Sequence, residues 1–308
     1  MSAIRSMSEV ECMSEEVKPG FWEGIRLVEA PPKRDAMGFF TDATLCIGCK
    51  ACEVACKQWN GLPADGMEWT GQSYDNTRQL SATTWRHVTF TEIADLGVHG
   101  SSPGGAGGMP TSSPPPEGAR PGFRWLFNSD VCKHCTEAPC QQVCPTGALI
   151  RNEFDDVYLQ QDVCNGCGYC VVACPFGVLG RSEEDGRAHK CTLCYDRQKD
   201  GIEPACAKAC PTDAITFGPV EELRARAEER LKKVRGSGES KAYLYGADDA
   251  GEYKRLNAFF LLTEEPAAYN LPEAPHMPTA SMKRRYMWSA AVGVGLGLLS
   301  AVVLGKKG

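Results

Sequence analysis

A chain of 308 residues has room for one large domain or two ordinary ones, and an apolar fraction of 43% is enough to build a core. A formal charge of -6, with no basic stripe interleaved with aromatics, argues against nucleic-acid binding. Sixteen of the seventeen cysteines stand in tight groups, which argues against the disulfide framework of a small secreted scaffold.

Residues 1 to 20 are polar, without an apolar stretch long enough for a secretory signal and without paired arginines. The chain therefore stays inside or leaves with a partner that has its own signal. Phe21 to Ala36, carrying Pro31 and Pro32, reads as an extended arm, and Cys12 within residues 1-37 as an ordinary thiol. Met37 to Phe40 leads as a short strand into Cys46, Cys49, Cys52 and Cys56, a group followed by Lys57.

Seventy-five residues then intervene before the next cysteine. Thr84 to Glu92 alternates and is rich in β-branched and aromatic residues, which predicts a strand. From Gly97 to Gly122, 14 of 26 residues are glycine or proline, the composition of a surface insertion. Phe123 to Asn128 resumes as a strand and delivers the chain to Cys132, Cys135, Cys140 and Cys144, a group that ends in Pro145.

The third group, Cys164, Cys167, Cys170 and Cys174 before Pro175, has the CxxCxxCxxxCP spacing of a bacterial-ferredoxin site. Three thiols can curl round one iron–sulfur cube while the fourth points to a second. Cys191, Cys194, Cys206 and Cys210 before Pro211 form the fourth group. The phrases PTGAL at Pro145, PFGVL at Pro175 and PTDAI at Pro211 recur after the groups and predict an internal repeat.

Pro219 to Arg235 is predicted helical. Leu223, Ala227, Leu231 and Val234 share one face, Glu221 and Glu222 suit the start, and Lys232, Lys233 and Arg235 suit the end. Asn257 to Thr263 reads as a buried strand, and Pro266 to Pro278, with four prolines, as a tether. Met287 to Gly305 is 19 residues without a charge, between Lys283, Arg284, Arg285 and Lys306, Lys307. At about 1.5 Å per residue it reaches roughly 28 Å, a single membrane helix. Gly293 and Gly297 stand at GxxxG spacing within it.

Sixteen of the seventeen cysteines fall into fours, the stoichiometry of four [4Fe–4S] clusters. Each cube with four thiolates carries about 2−, so four would take the chain from -6 to about −14. Lys50, Lys57, Lys133 and Lys190 lie among the ligands and are expected to offset this. His134 and His189 lie beside ligands and read as spacers. No residue constellation for hydride, acyl or phosphoryl chemistry stands out, so no catalytic residue is assigned. A zinc scaffold is the rival class, and only the fourth group would suit tetrahedral zinc. Spacing leaves the sharing of cubes open: 19 residues separate Cys144 from Cys164, and 16 separate Cys174 from Cys191.

From residue 38 to about 218 the chain resembles the four-cluster iron–sulfur subunits of molybdopterin oxidoreductases. CIGCKACEVACKQWN at Cys46 to Asn60, TWRHV at Thr84 to Val88, HKCTLCYDR at His189 to Arg197 and the C-terminal apolar segment are most similar to the beta subunits of membrane-bound formate dehydrogenases. The resemblance implies that the first group shares cubes with the fourth, and the second with the third. Cluster 1 would take Cys46, Cys49, Cys52 and Cys210, and cluster 2 Cys56, Cys191, Cys194 and Cys206. Cluster 3 would take Cys132, Cys135, Cys140 and Cys174, and cluster 4 Cys144, Cys164, Cys167 and Cys170.

It also implies an α+β fold of duplicated bacterial-ferredoxin-like modules with insertions, plus one C-terminal transmembrane helix. The expected divisions are an arm at 1-37, the four-cluster domain at 38-218 with the insertion at 97-122, an extension at 219-285 and the membrane helix at 286-305. The implied role is electron transfer from a Mo/W-bis-pterin catalytic subunit that oxidises formate to a membrane cytochrome b or other quinone-reactive subunit. The soluble part would lie on the extracytoplasmic face by co-export. Hydrogenase and polysulfide or sulfoxide reductase complexes use the same kind of wire. The insertion and the longer arm depart from the family pattern and touch no ligand.

Overall fold

Proline after a cysteine group stops a helix, so this chain is built from short elements around loops. The computed structural model describes residues 34-65, 75, 77-95, 122-248 and 252-305, and on helix α7 (Met282–Gly305) the side chains of 284-297 and 300. Most of the arm, with Cys12, and residues 97-121 of the insertion lie outside the described residues.

The elements run β1 (Met37–Asp42), α1 (Ala51–Asn60), β2 (Arg86–Asp95), β3 (Gly122–Val131), α2 (Pro139–Gln142), β4 (Leu149–Arg151) and β5 (Val157–Leu159). They continue with α3 (Tyr169–Ala173), β6 (Gly180–Arg181), β7 (Ala188–His189), α4 (Tyr195–Lys199), α5 (Ala205–Lys208) and β8 (Ile215–Pro219). After α6 (Val220–Gly236), β9 (Tyr243–Tyr245) and β10 (Ala258–Leu262) comes α7.

One four-stranded sheet, in the order β8-β1-β10-β9, divides the interior in two. Side chains alternate across a strand. Phe39, Phe260 and Leu262 accordingly face a core that contains the cysteines, while Phe40, Phe259 and Leu261 face Leu223, Ala227 and Val234 of α6. This is the predicted amphipathic helix with its predicted stripe. The parallel pairing of β1 with β10 brings backbones very close, for a Cβ on Gly38 would stand 1.9 Å from the Asn257 carbonyl oxygen. The two predicted strands around the insertion are β2 and β3, an antiparallel pair in register from Arg86↔Val131 to Asp95↔Gly122.

The repeated phrases have one backbone form. Gly147, Gly177 and Asp213, third in each phrase, are all left-handed, and the chain then enters β4, runs on to β6, or enters β8. The first group has Lys57 in place of proline, and its helix runs through Cys52 and Cys56 to Asn60. Pro266 to Pro278 is not a tether. Tyr269, Leu271 and Met277 are buried, the Thr263 and Tyr269 hydroxyls lie 2.9 Å apart, and Tyr245 donates to the Pro272 carbonyl at 2.7 Å. Among the described residues no helix is long and apolar enough to cross a membrane. The C-terminal helix itself is present, as α7, with Met287, Trp288, Val292, Val294 and Leu296 exposed.

Candidate metal centres

The four loops share a twist. Immediately before the second cysteine of each group stands a left-handed residue: Gly48, His134, Gly166 and Leu193. Such a turn aims successive N–H groups into one concavity, which suits an anionic group. At Gly48 the requirement is doubled, since a Cβ would also lie within 2.9 Å of the Phe127 and Phe90 rings. Cys46 accepts from the Gly48 N–H, Cys174 from Val178 and Phe176, and Cys194 from Ala205. Burial works to raise the Cys144 thiol, yet N–H groups of Leu149, Thr146 and Ala148 and the Thr146 hydroxyl hold it below the ordinary value.

Helix packing gathers the thiols across groups: α1 lies against α5, and α2 against α3. Cys46, Cys49, Cys52 and Cys210 line one cavity. Cys56 faces Cys206 and Cys194, and Cys191 faces Cys56 and Cys194. Cys135 faces Cys132, Cys140 and Cys174, and Cys170 faces Cys164, Cys144 and Cys167. These four neighbourhoods lie within electrostatic reach of one another in turn, through Cys52 and Cys206, then Cys191 and Cys132, then Cys140 and Cys170. They form a row whose middle thiols are buried, apart from the half-buried Cys174, and whose ends expose Cys49 and Cys167. Among the described residues no three His, Cys, Asp or Glu side chains close on a single metal ion.

Burial dominates the chemistry of these thiols. It pushes Cys52 and Cys140 up to about 12 and Cys170 and Cys194 up to about 11, and raises Cys56, Cys135 and Cys191 as well. As thiolates they need cationic partners, and metal ligation supplies the charge that ionises them.

The lysines named from sequence divide. Lys50 is 2.9 Å from Asp75, Lys57 is 3.0 Å from Asp65, and buried Lys133 pairs with Asp130, so their charges are already engaged. Lys190 differs: buried, it donates to the Val157 and Cys191 carbonyls at 2.5 and 2.6 Å. Burial opposes its charge, and Cys132, Cys191, Cys140 and Asp156 more than restore it. His189 pairs with Asp185 at 3.0 Å, away from any ligand role. His134 is buried with both ring nitrogens unpartnered among the described residues, and burial, with Lys190 and Arg151, pushes it well below the ordinary imidazole value.

Sequence reasoning missed Arg86, which is 1% exposed. Burial works against its charge, and the thiols of Cys206, Cys52, Cys191 and Cys56 outweigh that effect. A guanidinium sharing a strand face with Val88 and Phe90 was the available signal, since that face looks inward. An all-thiol donor set, N–H groups turned inward and a buried cation, Arg86, without a carboxylate partner among the described residues fit anionic iron–sulfur cubes.

Known proteins agree. Models of the 4Fe-4S dicluster domain match residues 45-148 and 123-220. The chain is 36% identical to the formate dehydrogenase iron-sulfur subunit of Haemophilus influenzae, over 82% of this chain and 74% of that relative. It is 33% identical to the formate dehydrogenase-O iron-sulfur subunit of Escherichia coli K12, over 87% of this chain and 83% of the relative. The chain belongs to the family of formate dehydrogenase iron–sulfur subunits. It is similar also to a subunit of the anaerobic dimethyl sulfoxide reductase of Escherichia coli K12, 33% identical over 61% of this chain and 76% of that relative. As a formate dehydrogenase-type iron–sulfur subunit it carries four [4Fe–4S] clusters and transfers electrons without being the catalytic subunit.

Proposed function

We propose that the four thiol neighbourhoods are the ligand sets, and that the row conducts electrons from a Mo/W-bis-pterin subunit oxidising formate toward a quinone-reactive membrane subunit such as a cytochrome b. Cys46, Cys49, Cys52 and Cys210 hold the first cluster, and Cys56, Cys191, Cys194 and Cys206 the second. Cys132, Cys135, Cys140 and Cys174 hold the third, and Cys144, Cys164, Cys167 and Cys170 the fourth. The observation that carries this reading is the row itself, buried along its middle and open at Cys49 and Cys167.

The cubes supply reversible one-electron chemistry, which matches in two transfers the two electrons released as formate becomes carbon dioxide and a proton. The chain's own residues exclude water from the middle of the row, donate N–H bonds to the thiolates and bury cations beside them. Formate is favoured as the donor because the formate dehydrogenase relatives align over 82 to 87% of the chain, against 61% for the sulfoxide reductase subunit.

The proposal extends to α7 as a single membrane anchor, with the soluble part carried to the extracytoplasmic face by its partner. Support comes from 19 uncharged residues with basic residues on both sides and from the exposed apolar side chains along the helix.

Anaerobic purification of the complex should yield sixteen irons and sixteen labile sulfides for this subunit, and formate should reduce the clusters. Reduction by hydrogen but not formate, or reoxidation by a sulfoxide with formate inert, would overturn the formate assignment. A colourless zinc protein would end the redox reading.

A further inference from the structure

Arg86 carries more than a packing role. Its guanidinium stacks on Phe39, with Cζ 4.7 Å from the ring centroid, and Nη1 donates to the Ser129 hydroxyl at 3.0 Å. The Ser129 Oγ, which accepts from Arg86, is in turn 3.2 Å from Cys52 Sγ, where its own proton can be donated to a thiolate. Nε and Nη2 are buried and have no hydrogen-bond partner among the described residues. A residue kept only to hold β2 against the core would not need a permanent charge with two idle donors in a medium that penalises both.

The guanidinium lies within electrostatic reach of thiols from two sets. Cys52 belongs to the first set, and Cys56, Cys191 and Cys206 to the second. We propose that Arg86 is shared by the first and second clusters, its Nε–H and Nη2–H donating to sulfur and its charge raising the reduction potential of both. The inference rests on the ligand assignment above. The sign follows from charge: the reduced cluster is the more negative form, so a nearby cation and N–H donors stabilise it.

The test uses the whole complex, purified anaerobically, with Arg86→Gln and Arg86→Lys variants followed by potentiometric EPR and iron analysis. In Arg86→Gln two of the four clusters should become harder to reduce by about tenfold or more, about 59 mV for a one-electron couple. Arg86→Lys, which keeps the charge without the planar fork, should shift the same two by less. Four unmoved potentials, four moving together, or one moving alone would each overturn the proposal.

Should Arg86→Gln fail to assemble, the unaltered complex decides. Labelling its arginine with ¹⁵N should change the nitrogen modulation of reduced first- and second-cluster signals in pulsed EPR, and Arg86→Lys should abolish that change. Unchanged modulation overturns direct donation. An iron count far below sixteen in the unaltered complex would instead sink the cluster assignment, whatever Arg86 does.

Discussion

Asp156 is a buried carboxyl. Its Oδ2 accepts from Gln198 at 2.8 Å and Asn152 at 3.2 Å, while Oδ1 has no partner among the described residues. Burial pushes its pKa up to about 7, against the opposing pull of those donors and Lys190. The unfolded carboxyl ionises near 3.8, so between about 4 and 7 the folded state binds the extra proton and stability falls as pH rises. At about 1.4 kcal/mol per unit, the loss amounts to at most about 4 kcal/mol by neutral pH. Asp156→Asn should therefore gain on the parent as pH increases, by roughly 1 kcal/mol more at pH 8 than at pH 6. Thermal unfolding at both values checks this, and a gap in melting temperature that stays constant would contradict it. At this scale the sequence reveals ligands more readily than their surroundings. Cysteines announce themselves by spacing, whereas Lys50 and Lys57, adjacent to ligands in sequence, turn to Asp75 and Asp65. Arg86, 30 residues from the nearest cysteine before it, reaches the thiols only because β2 lies across α1.

Helices and turns were legible where chemistry punctuates them. The amphipathic α6, the buried β10 and the repeated phrase with its left-handed third residue all carry their own local signals. Two-residue strands such as β6 and β7 carry none, because so short a pair is defined by its partner alone. The stretch after β10 misled for a related reason: its prolines suit a tether, but Tyr269, Leu271 and Met277 find a core to enter. Spacing likewise could not reveal which cysteine groups meet. That depends on α1 meeting α5 and α2 meeting α3, contacts between elements far apart in sequence. Cys52→Ser tests this arrangement. It should damage the cluster that Cys52 shares with Cys210 and leave the third and fourth intact by EPR. Loss of those two with retention of the first would refute the crossed assignment.

Across the whole molecule, the sheet β8-β1-β10-β9 is a wall with a cysteine-lined core on one face and α6 on the other. Sequence could indicate both layers but not the strand order, since β10 joins β1 in parallel across more than 200 residues. Helix α7 stands outside this economy. Its 24 residues would span about 36 Å, and its described apolar side chains point to no core that buries them. Water is a poor solvent for such a surface and hydrocarbon a good one, at about 25 cal/mol for each Å² of apolar area transferred. If α7 is the anchor proposed above, a chain ending at Ser281 should lose membrane affinity while keeping all sixteen grouped cysteines. In membranes washed with alkaline carbonate, which strips peripherally held proteins, the full chain should remain in the pellet. The truncated chain should pass into the supernatant with its sixteen irons, even if a partner retains it before the wash. Release of the full chain by carbonate would overturn α7 as an anchor and leave membrane attachment to the partner.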